Sequence, residues 1–204
     1  MFLPTLEFEK NLWKKGINFI VGIDEVGRGS WAGPLVASGV ILPKTFKVPP
    51  GFADSKKLTQ KSRESFCAFI KSIALGFYIA EISNSQITKY GLTKSTQKVF
   101  RRITKNIRPK QDFVLVDAFH IKYLPKSKQT AIIKGDEKCA SIAAASIIAK
   151  VYRDKLMEKY SSIYPDYGFE KHKGYGTKLH QAAIQKYGFS QIHRTGYNLN
   201  FLFS

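Results

Sequence analysis

Residues 19–29 read FIVGIDEVGRG. The apolar run from Phe19 to Ile23 stops at Asp24, the pattern of a buried strand. Glu25 follows at once, and the chain then turns through Gly27, Arg28 and Gly29. Two other apolar runs behave alike. Phe113 to Val116 predicts a strand that ends on Asp117, and Ala131 to Ile133 predicts a short one closed by Lys134, Gly135 and Asp136. In open α/β sheets ligands gather at the carboxyl ends of strands. Asp24, Glu25, Asp117 and Asp136 are therefore expected along one edge, where they would repel one another strongly unless cations sit between them. Hard divalent ions suit such oxygen ligands, and Mg²⁺ needs few protein carboxylates because it keeps waters and substrate phosphate oxygens. Taken singly, a strand-end Asp is more simply a turn former or a helix cap. The coincidence carries weight because acids are scarce in this chain.

The 204 residues hold 33 Lys and Arg against 15 Asp and Glu, a net charge of +18. That excess points to a polyanion, most simply nucleic acid, with an anionic membrane surface the weaker option. A basic chain with a small acidic nest is what a metal-dependent nuclease requires: lysines hold phosphates, and two metals roughly 3.5–4 Å apart flank the scissile one. A hydrophobic content of 44% argues for a folded chain. No apolar run approaches the roughly 18 residues of a membrane span, and residues 1–16 lack a signal-peptide block. Cys67 and Cys139 lie far apart, which excludes a disulfide scaffold or cysteine-rich zinc site and suits a reducing cytoplasm. The length fits one domain over residues 1–204, with a core over about 17–160 and a C-terminal loop and helix segment over about 161–204.

Further strands are expected over residues 35–42 and 77–82. Helices are expected over 5–15, 59–75 with Thr59 as cap, 84–106 with a break at Gly91, 137–160 and 177–187. Strands first close together and then alternating with helices favour a layered α/β domain with a mixed sheet. Asp154 lies 18 residues after Asp136. On an unbroken helix that is roughly 27 Å away, too far to share a metal. Asp154 is instead expected to pair with Lys150 at i,i+4 and to join a surface ion pair near Arg153. The cationic stretch Lys98 to Lys105 reads as a solvated helix face. His120, His172, His180 and His193 have no metal-ligand spacing and read as structural or phosphate-adjacent.

At this point a family resemblance emerges. Val21 to Gly29, followed by Ala32-Gly33-Pro34-Leu35-Val36, resembles the opening motif of ribonuclease HII. Asp54-Ser55-Lys56-Lys57-Leu58 resembles the second block of that family. Val116-Asp117, Lys134-Gly135-Asp136 with the run Ser141 to Val151, and His172-Lys173-Gly174-Tyr175-Gly176-Thr177 resemble the later ones. The motifs span residues 20 to 180 in the family's order. The resemblance implies a ribonuclease H-like fold: a mixed five-stranded central sheet flanked by helices, with a helical C-terminal extension. It implies an endonuclease using Mg²⁺ or Mn²⁺, two ions during catalysis, held by Asp24, Glu25, Asp117 and Asp136. It further implies cleavage of the RNA strand of RNA–DNA hybrids, and cleavage 5′ to single ribonucleotides in duplex DNA, leaving 5′-phosphate and 3′-hydroxyl ends. A cytoplasmic monomer acting in ribonucleotide removal is expected. Ribonuclease HIII resembles the chain in its acids, but typically has Lys in place of Arg28 and an extra N-terminal domain, for which the 19 residues before the first strand are too few. After Ile192-His193-Arg194 the family usually continues with Ser-Phe and a nearby Pro. Here the chain reads Thr195-Gly196-Tyr197-Asn198-Leu199-Asn200, and that tail is assigned no function.

The Gly27-Arg28-Gly29 turn has a physical rationale. Glycines let backbone groups approach a sugar closely, and the 2′-hydroxyl is what distinguishes RNA from DNA. Arg28 can add a forked contact to phosphate. Tyr175, in a Gly/Lys loop, is expected to stack on the sugar or base at the junction, as the resemblance implies; a half-buried loop tyrosine is an equal reading of the sequence alone. Ser55, Lys56 and Lys57 precede a helix, where phosphate binding and a plain cap with solvated lysines are close alternatives. Two rival functions remain open. One is a transposase or resolvase of the same superfold, and the other is a basic nucleic-acid binder whose acids are incidental.

Overall fold

A computed structural model describes residues 3–199 and Leu202. In chain order the elements are α1 (Glu7–Lys14), β1 (Ile20–Val26), β2 (Leu35–Ile41), α2 (Gln60–Ile73), β3 (Gly76–Ile82), α3 (Asn84–Tyr90), α4 (Leu92–Asn106), β4 (Phe113–Asp117), β5 (Gln129–Ile132), α5 (Gly135–Lys138), α6 (Ala140–Ile163), α7 (Phe169–His172) and α8 (Lys178–Tyr187). The strands form one five-stranded sheet in the order β3-β2-β1-β4-β5. β1 is central, antiparallel to β2 and parallel to β4, and β4 is parallel to β5. The expected mixed sheet is present, with helices on both faces. No helix among the described residues is long and apolar enough to cross a membrane.

β1 is covered on both sides. Val21 and Ile23 pack with Val114 and Val116 against Val99, Phe100 and Ile103 of α4. On the other face Gly22 meets α6, and a Cβ there would lie 2.2 Å from the Ser141 carbonyl carbon. Small residues let the helix press this close. Ala143, Ala144 and Ala145 are fully buried beside the sheet, together with α2 residues Cys67 and Ile70. Both cysteines are buried and unpaired, as small core residues.

The helix expected over 137–160 is two helices, α5 and α6, separated at Cys139, whose backbone is extended at φ −116°, ψ 124°. The cause lies at the other end of the chain. Thr5 pairs with this stretch as an isolated bridge: its N–H donates to Lys138 O at 3.0 Å, and its carbonyl accepts from Ala140 N at 2.9 Å. That pairing pulls the backbone out of helical geometry, and it also starts α1 at Glu7 rather than at Thr5. The buried Glu9 of α1 then accepts from Ser141 N at 2.8 Å and from Cys139 Sγ at 3.1 Å, capping α6.

The unbroken helix assumed between Asp136 and Asp154 is therefore absent. Asp154 nevertheless pairs with Lys150 Nζ at 2.7 Å, and also with Arg63 Nη1 at 3.2 Å. These ion pairs lie mostly below the surface, and among the described residues Arg153 itself joins none, because it is fully buried on uncharged acceptors. Three histidines are structural. The His172 and His180 rings stack with centroids 4.3 Å apart, and His180 Nε2 lies 3.0 Å from His193 Nε2.

Candidate active site

The parallel pairing of β1 with β4 matches Ile23 to Val116, so Asp24 and Asp117 follow side by side at the carboxyl end of the sheet. β1 does not stop at Asp24 but runs through Glu25 to Val26. Asp117 is the last residue of β4. Asp136 is not at a strand end: β5 closes at Ile132, Lys134 takes a left-handed turn at φ 55°, and Asp136 sits in the first turn of α5. Gly135 N donates to Asp117 Oδ1 at 2.7 Å, which draws that turn onto β4. Asp24 Oδ1 accepts from Glu25 N at 2.7 Å.

Burial and mutual repulsion dominate this edge. Burial raises the Asp24 carboxyl well above the usual range, and the charges of Glu25, Asp117 and Asp136 push it further. Burial and then Asp117 push Glu25 up to about 7, against the pull of Arg28 and Lys56. Burial also raises Asp117, with the Gly135 N–H opposing. Glu25 Oε2 is buried and has no hydrogen-bond partner. Among the described residues, no three His, Cys, Asp or Glu side chains form a ready-made metal cage. The acids are spread along the edge, an arrangement in which an ion is held by one or two carboxylates and completes its shell elsewhere. Crowded carboxylates with an orphaned buried oxygen fit a divalent cation.

Lys56 reaches into the edge, its Nζ 3.3 Å from Asp136 Oδ2. Its neighbours differ from the expected phosphate-binding trio. The Ser55 hydroxyl is buried against Ser146 Oγ at 2.9 Å, and Lys57 pairs with Glu137 at 3.2 Å. A cavity of about 240 Å³ beside Glu25 is lined by Lys56, Ser146, Lys150 and Tyr175 among others. Tyr175 is thus brought to the acidic edge.

The two glycines of the turn are unlike. Gly27 has φ +84°, and a Cβ there would lie 2.1 Å from Arg153 Nε, so the fold itself requires glycine. Gly29 has no positive φ, is exposed, and a Cβ there would meet nothing within 4 Å. The Arg28 guanidinium lies over the Phe119 ring, 4.3 Å from its centroid. Arg153 donates to Pro34 O at 3.0 Å, Lys173 O at 2.9 Å, Ser30 Oγ at 2.8 Å and Ala32 O at 3.1 Å, joining this turn to the Tyr175 loop. Sequence reasoning missed Arg153, Arg194 and Glu9, since a buried ion leaves no periodic trace.

A family model described as Ribonuclease HII matches residues 21–200. The chain belongs to the ribonuclease HII family. The Ribonuclease HII of Caldanaerobacter subterraneus subsp. tengcongensis is 45% identical over 190 residues, 93% of this chain and 78% of that protein. A ribonuclease HII from Archaeoglobus fulgidus, solved in complex with PCNA, is 26% identical with a TM-score of 0.75, over 89% of this chain and 96% of that one. The Bst-RNase HIII solved with Mn²⁺ is 18% identical with a TM-score of 0.65, over 83% and 61% of the two chains, and shares the fold. This ribonuclease HII chain has the ribonuclease H-like fold and is a hydrolase, an endonuclease of the ribonuclease H type.

Proposed function

We propose that this ribonuclease HII cleaves the RNA strand of RNA–DNA hybrids, cuts 5′ to single ribonucleotides in duplex DNA, and leaves 5′-phosphate and 3′-hydroxyl ends. The observation that carries the reading is the juxtaposition of a crowded acidic edge with the exposed peptide of Gly29, four residues beyond Glu25 on the same strand and turn. Asp24, Glu25, Asp117 and Asp136 hold the metal, Mg²⁺ or Mn²⁺, as two ions. When bound, divalent ions neutralise charge on the scissile phosphate and lower the pKa of water.

The remaining work falls to the chain. Lys56, beside Asp136, and Arg28 hold phosphate. The Gly29 peptide meets the 2′-hydroxyl, and Tyr175 packs against the next nucleotide. Gly27 supports this turn through its packing on Arg153. A cytoplasmic monomer that removes ribonucleotides from DNA, with no membrane partner, completes the reading.

The test is a duplex DNA with one ribonucleotide, an all-DNA control and an RNA–DNA hybrid, each with Mg²⁺, Mn²⁺ or chelator. Cleavage is expected only of the two RNA-containing substrates and only with metal. Cutting of the all-DNA control would favour a transposase-like chemistry. Binding without turnover under every condition would reduce the protein to a nucleic-acid binder.

A further inference from the structure

The chain departs from the family pattern after Arg194, and the stretch from Ile192 to Tyr197, which spans that point, grips the Gly27-Arg28-Gly29 turn. Ala32 pairs antiparallel with His193. Gly33 N donates to Ile192 O at 2.9 Å, and Arg194 N donates to Trp31 O at 2.8 Å. Arg194 is 1% exposed. Its Nε donates to Gly33 O at 2.9 Å and its Nη1 to Arg28 O at 3.0 Å. The Tyr197 hydroxyl donates to the same Arg28 oxygen at 2.8 Å. The Arg28 carbonyl, with two lone pairs, thus receives two donors, both from the tail. The preceding carbonyl is also engaged, since Gly27 O accepts from Ser30 Oγ at 2.9 Å.

Gly29 is the contrast. It makes no hydrogen bond with any described residue, and it faces open space. An engaged carbonyl turned toward buried donors cannot serve a sugar, whereas the Gly29 peptide has nothing else to serve. The brace is costly to keep. Arg194 has no carboxylate partner among the described residues, and its Nη2 is buried without a hydrogen bond. A buried cation without a counter-ion costs stability. Burial, and then the Arg153 charge, push the Arg194 guanidinium down to about 10.

We propose that Arg194 and Tyr197 are positioning residues for ribose discrimination: by engaging the Arg28 carbonyl from the tail, they turn that oxygen inward, and because the Arg28–Gly29 peptide is trans its N–H is left facing the 2′-hydroxyl. The inference rests on the reading of the turn given under Proposed function. Neither residue touches the reacting atoms. Tyr197→Phe removes one donor and leaves the ring among Ile184, Leu199 and Leu202. Arg194→Lys keeps the charge but loses the fork that serves Gly33 O and Arg28 O together.

The experiment compares wild type and both variants on two duplexes: one with a single ribonucleotide, and the same duplex with a 2′-fluoro nucleotide there, whose fluorine cannot donate a hydrogen bond and accepts one far more weakly than a hydroxyl. Single-turnover conditions keep slow cleavage measurable, and kcat and KM are determined separately on the ribonucleotide substrate. Tyr197→Phe should lower kcat on the ribonucleotide about tenfold, the scale of one hydrogen bond. Its KM should change less than about twofold, because affinity rests on phosphate contacts. Cleavage of the 2′-fluoro duplex should stay at the wild-type rate, so selectivity falls by the same factor. Arg194→Lys should compress selectivity further. An equal loss on both duplexes in folded Tyr197→Phe, or unchanged selectivity, overturns the proposal. A wild-type enzyme that cuts neither duplex with metal present refutes the functional reading beneath it, a different and separable result.

Discussion

Replacing each glycine of the turn by alanine separates what the fold needs from what the substrate needs. At Gly27 the new Cβ would lie 2.1 Å from Arg153 Nε, 2.7 Å from Cζ and 2.8 Å from Cδ. That guanidinium is fully buried and anchored on four acceptors, so it cannot swing aside without breaking bonds. The left-handed backbone costs a side chain roughly 1–2 kcal/mol. Losing even two of the guanidinium's hydrogen bonds adds about 3 kcal/mol or more. Gly27→Ala should therefore lose at least about 4 kcal/mol, a fall in Tm of about 8–16 °C for a chain of this size. At Gly29 the Cβ meets nothing within 4 Å and no positive φ has to be held. Gly29→Ala should fold as well as wild type or gain about 0.4–1 kcal/mol through a less flexible unfolded chain. Its cleavage at a lone ribonucleotide should nonetheless fall about 10- to 100-fold, since the methyl group intrudes where the sugar must reach the peptide. Thermal unfolding and single-turnover cleavage on the same preparations give both numbers. A Gly29→Ala enzyme that cuts at the wild-type rate, or one that melts as early as Gly27→Ala, would refute the reasoning.

Asp117→Asn should abolish cleavage while duplex binding persists with its salt dependence, because the amide is a poor metal ligand and the cationic surface is untouched; near wild-type turnover would argue against the acid's role at the metal. Glu25 is pushed up to about 7 from 4.5, so in chelator its contribution to stability is present below pH 4.5 and lost as pH rises through about 7. Glu25→Gln should accordingly stabilise the metal-free protein at pH 8 by up to about 3 kcal/mol, with the gain gone near pH 4.5, as read by urea unfolding at each pH; a pH-independent difference would contradict the assignment. Glu9→Ala leaves Ser141 N without its cap and should cost about 1–3 kcal/mol, with cleavage by the fraction that stays folded unchanged. Calorimetry beside an assay at 25 °C checks this, and a specific loss of turnover at unchanged Tm would count against a purely structural cap.

Much of this architecture is legible in the sequence because the signals are local. The runs 19–23, 35–42 and 113–116 are too apolar and too short for anything but buried strands, and Gly91 breaks α3 from α4 at φ +76° as its position implies. The candidate acids stand out because the chain has so few. What escaped depends on distant partners. Nothing near Cys139 marks the end of α5, since the break is imposed by Thr5. Arg153 looks like a surface residue beside Asp154, yet it is buried by acceptors such as Ser30, 123 positions away. Ser55 reads about equally as a phosphate ligand or a helix cap, and only the fold brings its hydroxyl to Ser146, 91 positions away. The tail looks inert because its role is defined by the turn it grips.

The grip of Arg194 on Arg28 spans 166 positions, and that of Glu9 on Ser141 spans 132. Contacts so remote in sequence raise contact order, which slows folding. On the ribosome, β1 and its turn emerge early and wait for strand β4, then for the Thr5 partner at Cys139, and last for Arg194. At about 5–20 residues per second the wait for that final brace lasts roughly 8–33 s. Asp117 and Asp136 emerge during that wait, so all four carboxylates precede Arg194 only over its last 58 residues, roughly 3–12 s. On the proposed role of Arg194, a nascent chain acquires its acids before the brace of its turn, and a stall between Asp136 and Arg194 would leave the first without the second.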